Sequence, residues 1–195
     1  MLLEKLSNFN LILASKSPRR QFLMKEAGFK FSVEVKEEIC EDFPKNLKKE
    51  EIALFLAEHK SVSFGEIKSE NTIVITADTI VWLNNEVINK PESRTEAISM
   101  LEKLSENIHY VYSGVCLRSR QKQKSFYVCS SVKFKQLTSD EISYYVDNFK
   151  PYDKAGAYGI QEWLGYIGIE EINGCFYNVM GLPVQRLYVE LEKFI

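Results

Sequence analysis

Strand and helix signals alternate along this chain of 195 residues, which places it in the α/β class. Three observations carry that reading. Residues 11–14 are a short apolar run that stops at Ser15, Ser17 and Pro18, where a helix begins. Residues 72–83 are β-branched and apolar almost throughout, as buried central strands are. Residues 50–64 and 95–104 place their apolar side chains on one helical face each.

The opening element is the most informative. Residues 11–14 are too few for an autonomous helix and suit a buried strand, while Pro18 presets the first turn of a helix from about Arg19 to Ala27. Gly28 ends that helix where a left-handed residue costs least. Strand, serine-rich turn and helix start aim free backbone N–H groups and the positive end of the helix dipole at one spot, where an anion is expected. Arg19 and Arg20 stand beside it, and guanidinium groups match phosphate oxygens bidentately at any working pH. The same residues also describe a surface-exposed helix start with solvated arginines. They lack the spacing of a Walker loop, so P-loop chemistry is not implied.

Length and composition set outer limits. The chain is long enough to bury a sizeable core, and one domain spanning 1–195, with or without two lobes, is expected. A net charge of -2 with interspersed acids and bases argues against a nucleic-acid partner, so any phosphate site is local. Cys40, Cys116, Cys129 and Cys175 are far apart and suggest neither a zinc site nor a disulfide framework. Glu4 interrupts the first apolar residues, so no signal peptide or membrane span is expected, and a reducing cytoplasm fits best.

Further along, residues 29–35 alternate as a half-buried strand, and residues 36–49 are charged and irregular around Pro44. The acids Glu37, Glu38, Glu41 and Asp42 within them read first as a solvated loop. Between residues 50 and 64, Ile52, Leu54, Phe55, Leu56, Ala57 and Val62 favour one helix face, with Lys60 beyond them and Gly65 as the stop. Asp78 interrupts the apolar run of residues 72–83. A carboxylate there is costly unless it is paired, hydrogen-bonded or metal-bound. It is either satisfied by neighbouring backbone N–H groups or is a catalytic group at a strand break, and the second is expected. Asn84-Asn85 makes a hairpin turn, so that Lys90, rigidified by Pro91, is expected to end near Asp78 as a phosphate ligand.

The helix over residues 95–104 is capped by Ser93 or Thr95, and residues 109–118 and 125–137 form a hairpin in which His109 is a sheet residue and not a base. His59 likewise belongs to its helix. Thr138 and Glu141 make a capping box for a helix to about Phe149. In residues 151–161, glycines and alanines let backbone approach a ligand, and Asp153, Lys154, Tyr158 and Gln161 supply polar groups. Residues 164–172 read as a strand, Asn173-Gly174 as a hairpin turn, and Pro183 as the start of a last helix through Leu187, Val189 and Leu191.

Ser15-Lys-Ser-Pro-Arg-Arg20, Ala77-Asp-Thr79 with Lys90-Pro91 downstream, Asp153-Lys-Ala-Gly-Ala-Tyr-Gly-Ile-Gln161 and the 177–183 segment together resemble the Maf family of nucleotide pyrophosphatases, in order and over nearly the full chain. The resemblance implies an α/β fold of the Maf/inosine-triphosphatase-like kind, a central mixed twisted sheet flanked by helices, with two lobes around a cleft. It implies an enzyme that hydrolyses nucleoside triphosphates to monophosphate and pyrophosphate with a divalent metal, Mg²⁺ or Mn²⁺, and it allows for a homodimer. Members with Asp-Thr and Ile-Gln at these positions look like dTTP and UTP pyrophosphatases, with modified pyrimidine nucleotides as further substrates; the branch acting on methylated GTP differs there. A nucleotide-sensing module is the competing class, since the family was first associated with septum formation.

Carried over residue by residue, the resemblance puts the proton acceptor on Asp78 and the phosphate contacts on Ser15, Arg19, Lys60 and Lys90. It puts base specificity on Arg20, Thr79 and Gln161, and the metal on Glu41 and Asp78. The family's acidic-loop glutamate usually follows an aspartate, where this chain has Cys40, and Glu38 is the other candidate in that loop. The chemistry agrees: attack at an α-phosphorus needs cations against the triphosphate, hard oxygen ligands for the metal and a group to orient water. A free aspartate titrates near ~3.9 and is a feeble base, so Asp78 is expected to orient a water that the metal acidifies.

Overall fold

A computed structural model of the chain describes residues 1–35 and 41–195. After a short helix α1 (Leu2–Lys5) the elements run β1 (Asn10–Leu13), α2 (Pro18–Glu26), β2 (Ser32–Val33), α3 (Glu50–Ser63), β3 (Thr72–Leu83) and β4 (Glu86–Ile88). They continue with α4 (Arg94–Leu104), β5 (Ile108–Arg118), β6 (Gln123–Phe134), α5 (Ser139–Phe149), α6 (Trp163–Gly168), β7 (Ile169–Asn173), α7 (Phe176–Met180) and α8 (Val184–Phe194). Among the described residues seven strands form one sheet in the order β2-β1-β3-β5-β6-β7, with β4 paired to β3.

The sheet is mixed, as the family resemblance implied. β1 is parallel to β2 and to β3, Leu11 opposite Ile73 and Leu13 opposite Ile75. A strand between two parallel neighbours is buried on both faces, which is why Leu11, Ile12 and Leu13 are apolar without alternation. β4 returns antiparallel along β3, with Trp82 opposite Val87, through Asn84 and Asn85, whose φ angles of 49° and 65° are those of a tight hairpin turn. β7 is antiparallel to β6.

The chain divides into two compact units. The first comprises Met1–Asp78, Ser113–Val128 and Gly181–Ile195; the second comprises Thr79–Tyr112 and Cys129–Met180. In the first, Ile12 and Val74 pack with Phe64 and Ile67, and Ala14 lies against them. In the second, Leu101, Leu104, Phe134 and Tyr145 are among the largest wholly buried side chains. The capping box of α5 is present in both directions, Thr138 with the Glu141 N–H and Glu141 with the Thr138 N–H.

Several expectations change. β2 spans only Ser32–Val33 and is exposed, because an end strand has a single neighbour to pair with. Val62 is 63% exposed, since the buried stripe of α3 runs through Ile52, Ala53, Leu56, Ala57 and Ser61 and leaves it on the opposite side. The expected strand over residues 164–172 is half helix: Leu164 and Gly168, four apart, are the buried positions of α6, and the strand starts only at Ile169. Asn173-Gly174 leads into α7 and not back along a hairpin, with the Cys175 N–H donating to Ser130 Oγ at 3.0 Å. Among the described residues no helix is long and apolar enough to cross a membrane.

His109 is wholly buried on β5, edge-on to Phe134 and Tyr158, with Nε2 2.7 Å from the Tyr158 hydroxyl. Burial pushes its imidazole down to about 3, from an ordinary 6.5. The unfolded chain therefore binds a proton below pH ~6.5 that the folded chain refuses, and stability falls as pH drops through that window, by up to about 1.4 kcal/mol per pH unit. His109→Gln, which can still meet the Tyr158 hydroxyl but does not titrate, removes that component. Urea unfolding of both proteins at a series of pH values measures it, and parallel curves would show that His109 is not its source.

Candidate active site

Side chains on a strand alternate faces, so Thr76 and Asp78 share one side of β3. Thr76 is wholly buried, and its hydroxyl donates to the Ala57 carbonyl of α3 at 2.7 Å. Lys60 follows Ala57 by one helical turn, and that bond sets it opposite Asp78. Its Nζ donates to Asp78 Oδ2 at 2.8 Å and to Glu41 Oε1 at 2.8 Å. The depth of α3 depends on Gly114 of β5, where a Cβ would stand 2.2 Å from the Ala53 carbonyl oxygen. Only glycine lets the helix come this close.

Arg20 approaches from α2. Pro18 fills the first helical position and Ser17 caps the helix, its Oγ accepting from the Arg20 N–H at 3.5 Å. The Arg20 side chain turns inward, with Nε donating to the Gly181 carbonyl at 2.9 Å, Nη1 to Ser15 Oγ at 3.3 Å, and Nη2 standing 4.0 Å from Asp78 Oδ1. Burial pulls the guanidinium below its ordinary value and the charge of Asp78 pushes it back; an arginine so placed remains charged. Ser15 is buried, and its Oγ also accepts from the Ser17 N–H at 3.3 Å. Arg19 is half-buried on the same first turn.

Asp78 therefore has a cation on each oxygen. This corrects the expected strand break: β3 runs unbroken through Asp78, because Lys60 and Arg20 make a charged residue tolerable inside it. Glu41 and Asp78 meet the same ammonium, so two carboxylates lie close together. Among the described residues no cage of three or more His, Cys, Asp or Glu is gathered. Two carboxylates suit a divalent ion such as Mg²⁺ that takes its other ligands from phosphate oxygens and water. Glu38, the other acid considered for this place, lies outside the described residues.

The second unit carries the remaining positions. Thr79 follows Asp78 on β3 and is half-buried, while Lys90 is exposed beyond β4. The Gly156 N–H donates to the Asn89 carbonyl at 3.1 Å, which ties the 153–161 loop beside Lys90. Gln161 is half-buried, and its Oε1 is enclosed and, among the described residues, has no hydrogen-bond partner. Lys154 pairs with Asp153 at 2.7 Å and with Glu162 at 3.1 Å. Thr76, Gly114, Tyr145 and Glu162 were not singled out from sequence. Thr76 had a signal, two residues before Asp78 on one strand face; the others had none short of the fold.

A mixed α/β sheet that holds a strand carboxylate among lysine and arginine side chains, beside a serine-capped helix start, defines a candidate anion-handling enzyme site. The chain belongs to the Maf-like protein family, whose profile matches residues 10–194. A protein of Parabacteroides distasonis named dTTP/UTP pyrophosphatase is 48% identical to it over 99% of this chain and 100% of its own length. Proteins with the same name from Bacteroides thetaiotaomicron and Porphyromonas gingivalis are 47% and 42% identical, over 98% and 99% of this chain and 100% and 98% of their own lengths. A solved nucleoside-triphosphatase / dITP/XTP pyrophosphatase from Mycobacterium abscessus covers 94% of this chain and 95% of its own at 11% identity and a TM-score of 0.41, a likeness too slight to build on.

Breaking the Lys60–Asp78 pair from one side strands a buried charge. Lys60→Met is expected to cost about 3 kcal/mol of stability, and adding Asp78→Asn to it to recover at least half of that loss. Urea unfolding of the single and double variants measures this. A loss that the second change does not relieve would mean that Lys60 stabilises through packing alone.

Proposed function

We propose that this chain hydrolyses dTTP and UTP, and related modified pyrimidine nucleotides, to the nucleoside monophosphate and pyrophosphate. The observation that carries the reading is the Lys60 ammonium bonded to both Asp78 and Glu41, in a chain nearly half identical to proteins named for that reaction. A module that senses a nucleotide without cleaving it is the competing reading, and the enzyme names of the relatives give it no support.

In this reading Asp78 holds the attacking water and takes its proton as the water oxygen bonds to the α-phosphorus. Pyrophosphate leaves from the opposite side. Ser15, Arg19, Lys60 and Lys90 hold the phosphates and offset the charge that builds on the leaving group. Glu41 and Asp78 would hold Mg²⁺ or Mn²⁺, which neutralises triphosphate charge and acidifies water when bound. Lys60 and Arg20 hold the Asp78 carboxylate in place. Base choice falls to Arg20, Thr79 and Gln161. Thymine and uracil present carbonyl acceptors flanking one N–H donor, and the Gln161 amide answers both kinds, N–H₂ to a carbonyl and oxygen to the ring N–H. Cytosine inverts that pattern at N3 and N4 and leaves buried groups unpaired. The free thiols of Cys116 and Cys175 suit a reducing cytoplasm.

The test is a nucleotide panel with pyrophosphate detection in the presence of Mg²⁺ or Mn²⁺. Pyrophosphate should be released from dTTP and UTP at comparable rates, since one methyl group separates them, and more slowly from CTP. Asp78→Asn should bind nucleotide but lower kcat by at least ~10²-fold, the lower range for a positioned base. Binding without pyrophosphate release by the wild-type protein would favour the sensing module.

A further inference from the structure

We infer that Tyr145, Glu162 and Lys154 form a frame that positions Gln161, and that this frame sets how sharply thymine and uracil are told from cytosine. The inference rests on the pyrophosphatase reading above and on Gln161 as the residue that meets the base.

Gln161 lies between two residues whose places are fixed. A Cβ built on Gly159 would stand 3.1 Å from Gln161 Nε2 and 2.8 Å from the Glu162 carboxyl carbon, so the amide and the carboxylate both crowd the same bare Cα. The Glu162 carboxylate accepts from the Tyr145 hydroxyl and pairs with Lys154 Nζ at 3.1 Å. The Tyr145 oxygen in turn accepts from the Gly159 N–H at 3.0 Å, and the Glu162 N–H donates to the Gly159 carbonyl at 3.0 Å. One hydroxyl thus fastens the loop on both sides of Gln161. Lys154 then ties the start of the loop to its end.

The frame is stiff for physical reasons. Tyr145 is wholly buried on α5, and its ring stacks on Phe149 with centroids 5.1 Å apart. Lys154 is 7% exposed, so its pair with Glu162 is little weakened by solvent. Burial and the neighbouring Glu162 hold the Tyr145 pKa above its ordinary value, and the hydroxyl keeps its proton to donate. Nothing in this frame bonds to Gln161 Oε1, which is enclosed and has no partner among the described residues. Discrimination by an amide depends on which end points where, because a rotated or wandering amide exchanges its donor and acceptor and answers cytosine as well as uracil. Preorganisation is therefore what the frame supplies.

Tyr145→Phe removes one oxygen and leaves the ring packing. It is expected to lower kcat/KM for dTTP and UTP about tenfold, mostly through KM, while CTP changes by less than about twofold, in line with the loss of one or two hydrogen bonds from a positioned group. Gln161→Ala should narrow the preference at least as far. Inhibition by inorganic pyrophosphate, which Ser15, Arg19 and Lys60 hold, should not move. An unchanged preference, or equal losses on all three nucleotides, would overturn the inference and leave the frame as a support of the fold. If Tyr145→Phe does not fold, Glu162→Gln decides by the same ratio, since it keeps an acceptor for Tyr145 and loses the ion pair with Lys154. A wild-type protein inactive on dTTP and UTP is the separate outcome that defeats the pyrophosphatase reading, and the inference with it.

Discussion

The first unit depends on the cost of an ionised carboxylate inside a buried strand. Asp78 sits where β3 is otherwise apolar, and desolvation there would expel or neutralise it without partners. Lys60 at 2.8 Å and Arg20 at 4.0 Å are those partners, and both have to be delivered by helices whose placement is set elsewhere. Gly114 lets α3 lie flush on β5, the Thr76–Ala57 bond fixes its register along β3, and Ser17 with Pro18 starts α2 at the point from which Arg20 reaches inward. The result is a carboxylate held at a fixed place on β3 between a lysine and an arginine.

The second unit solves a different problem with the same means. The loop that carries Gln161 has little side-chain bulk to hold it, so its shape is imposed by hydrogen bonds from outside: the Asn89 carbonyl at its beginning, His109 on the Tyr158 hydroxyl at its middle, and Tyr145 on Gly159 and Glu162 near its end. Gly156 and Gly159 let the Val81 and Glu162 side chains come close, and the loop is ordered by buried polar contacts.

What could be read in the sequence was local. Asp78 stood out as an acid in a β-branched run, the Ser17-Pro18 helix start and the Thr138–Glu141 box follow from spacing alone, and Asn84-Asn85 names its turn. Lys60 was a different matter: on its helix it is one lysine among several, and only resemblance to a family marked it, until Thr76 and Ala57 placed it against Asp78. Gly114 is an unremarked glycine in a strand, and its need appears only when α3 is laid on it. Tyr145 and Glu162 are 17 positions apart on separate elements, and no periodicity links them. The strand expected over residues 164–172 failed because a short apolar run does not distinguish a buried strand from a buried helical turn.

In the proposed reaction water attacks the α-phosphorus of the nucleotide and not the β-phosphorus. Hydrolysis of dTTP in water enriched in a heavy oxygen isotope tests it most directly, with mass spectrometry of both products. The heavy oxygen is expected in the nucleoside monophosphate and not in the pyrophosphate. Label in the pyrophosphate, or release of the diphosphate and inorganic phosphate, would contradict it.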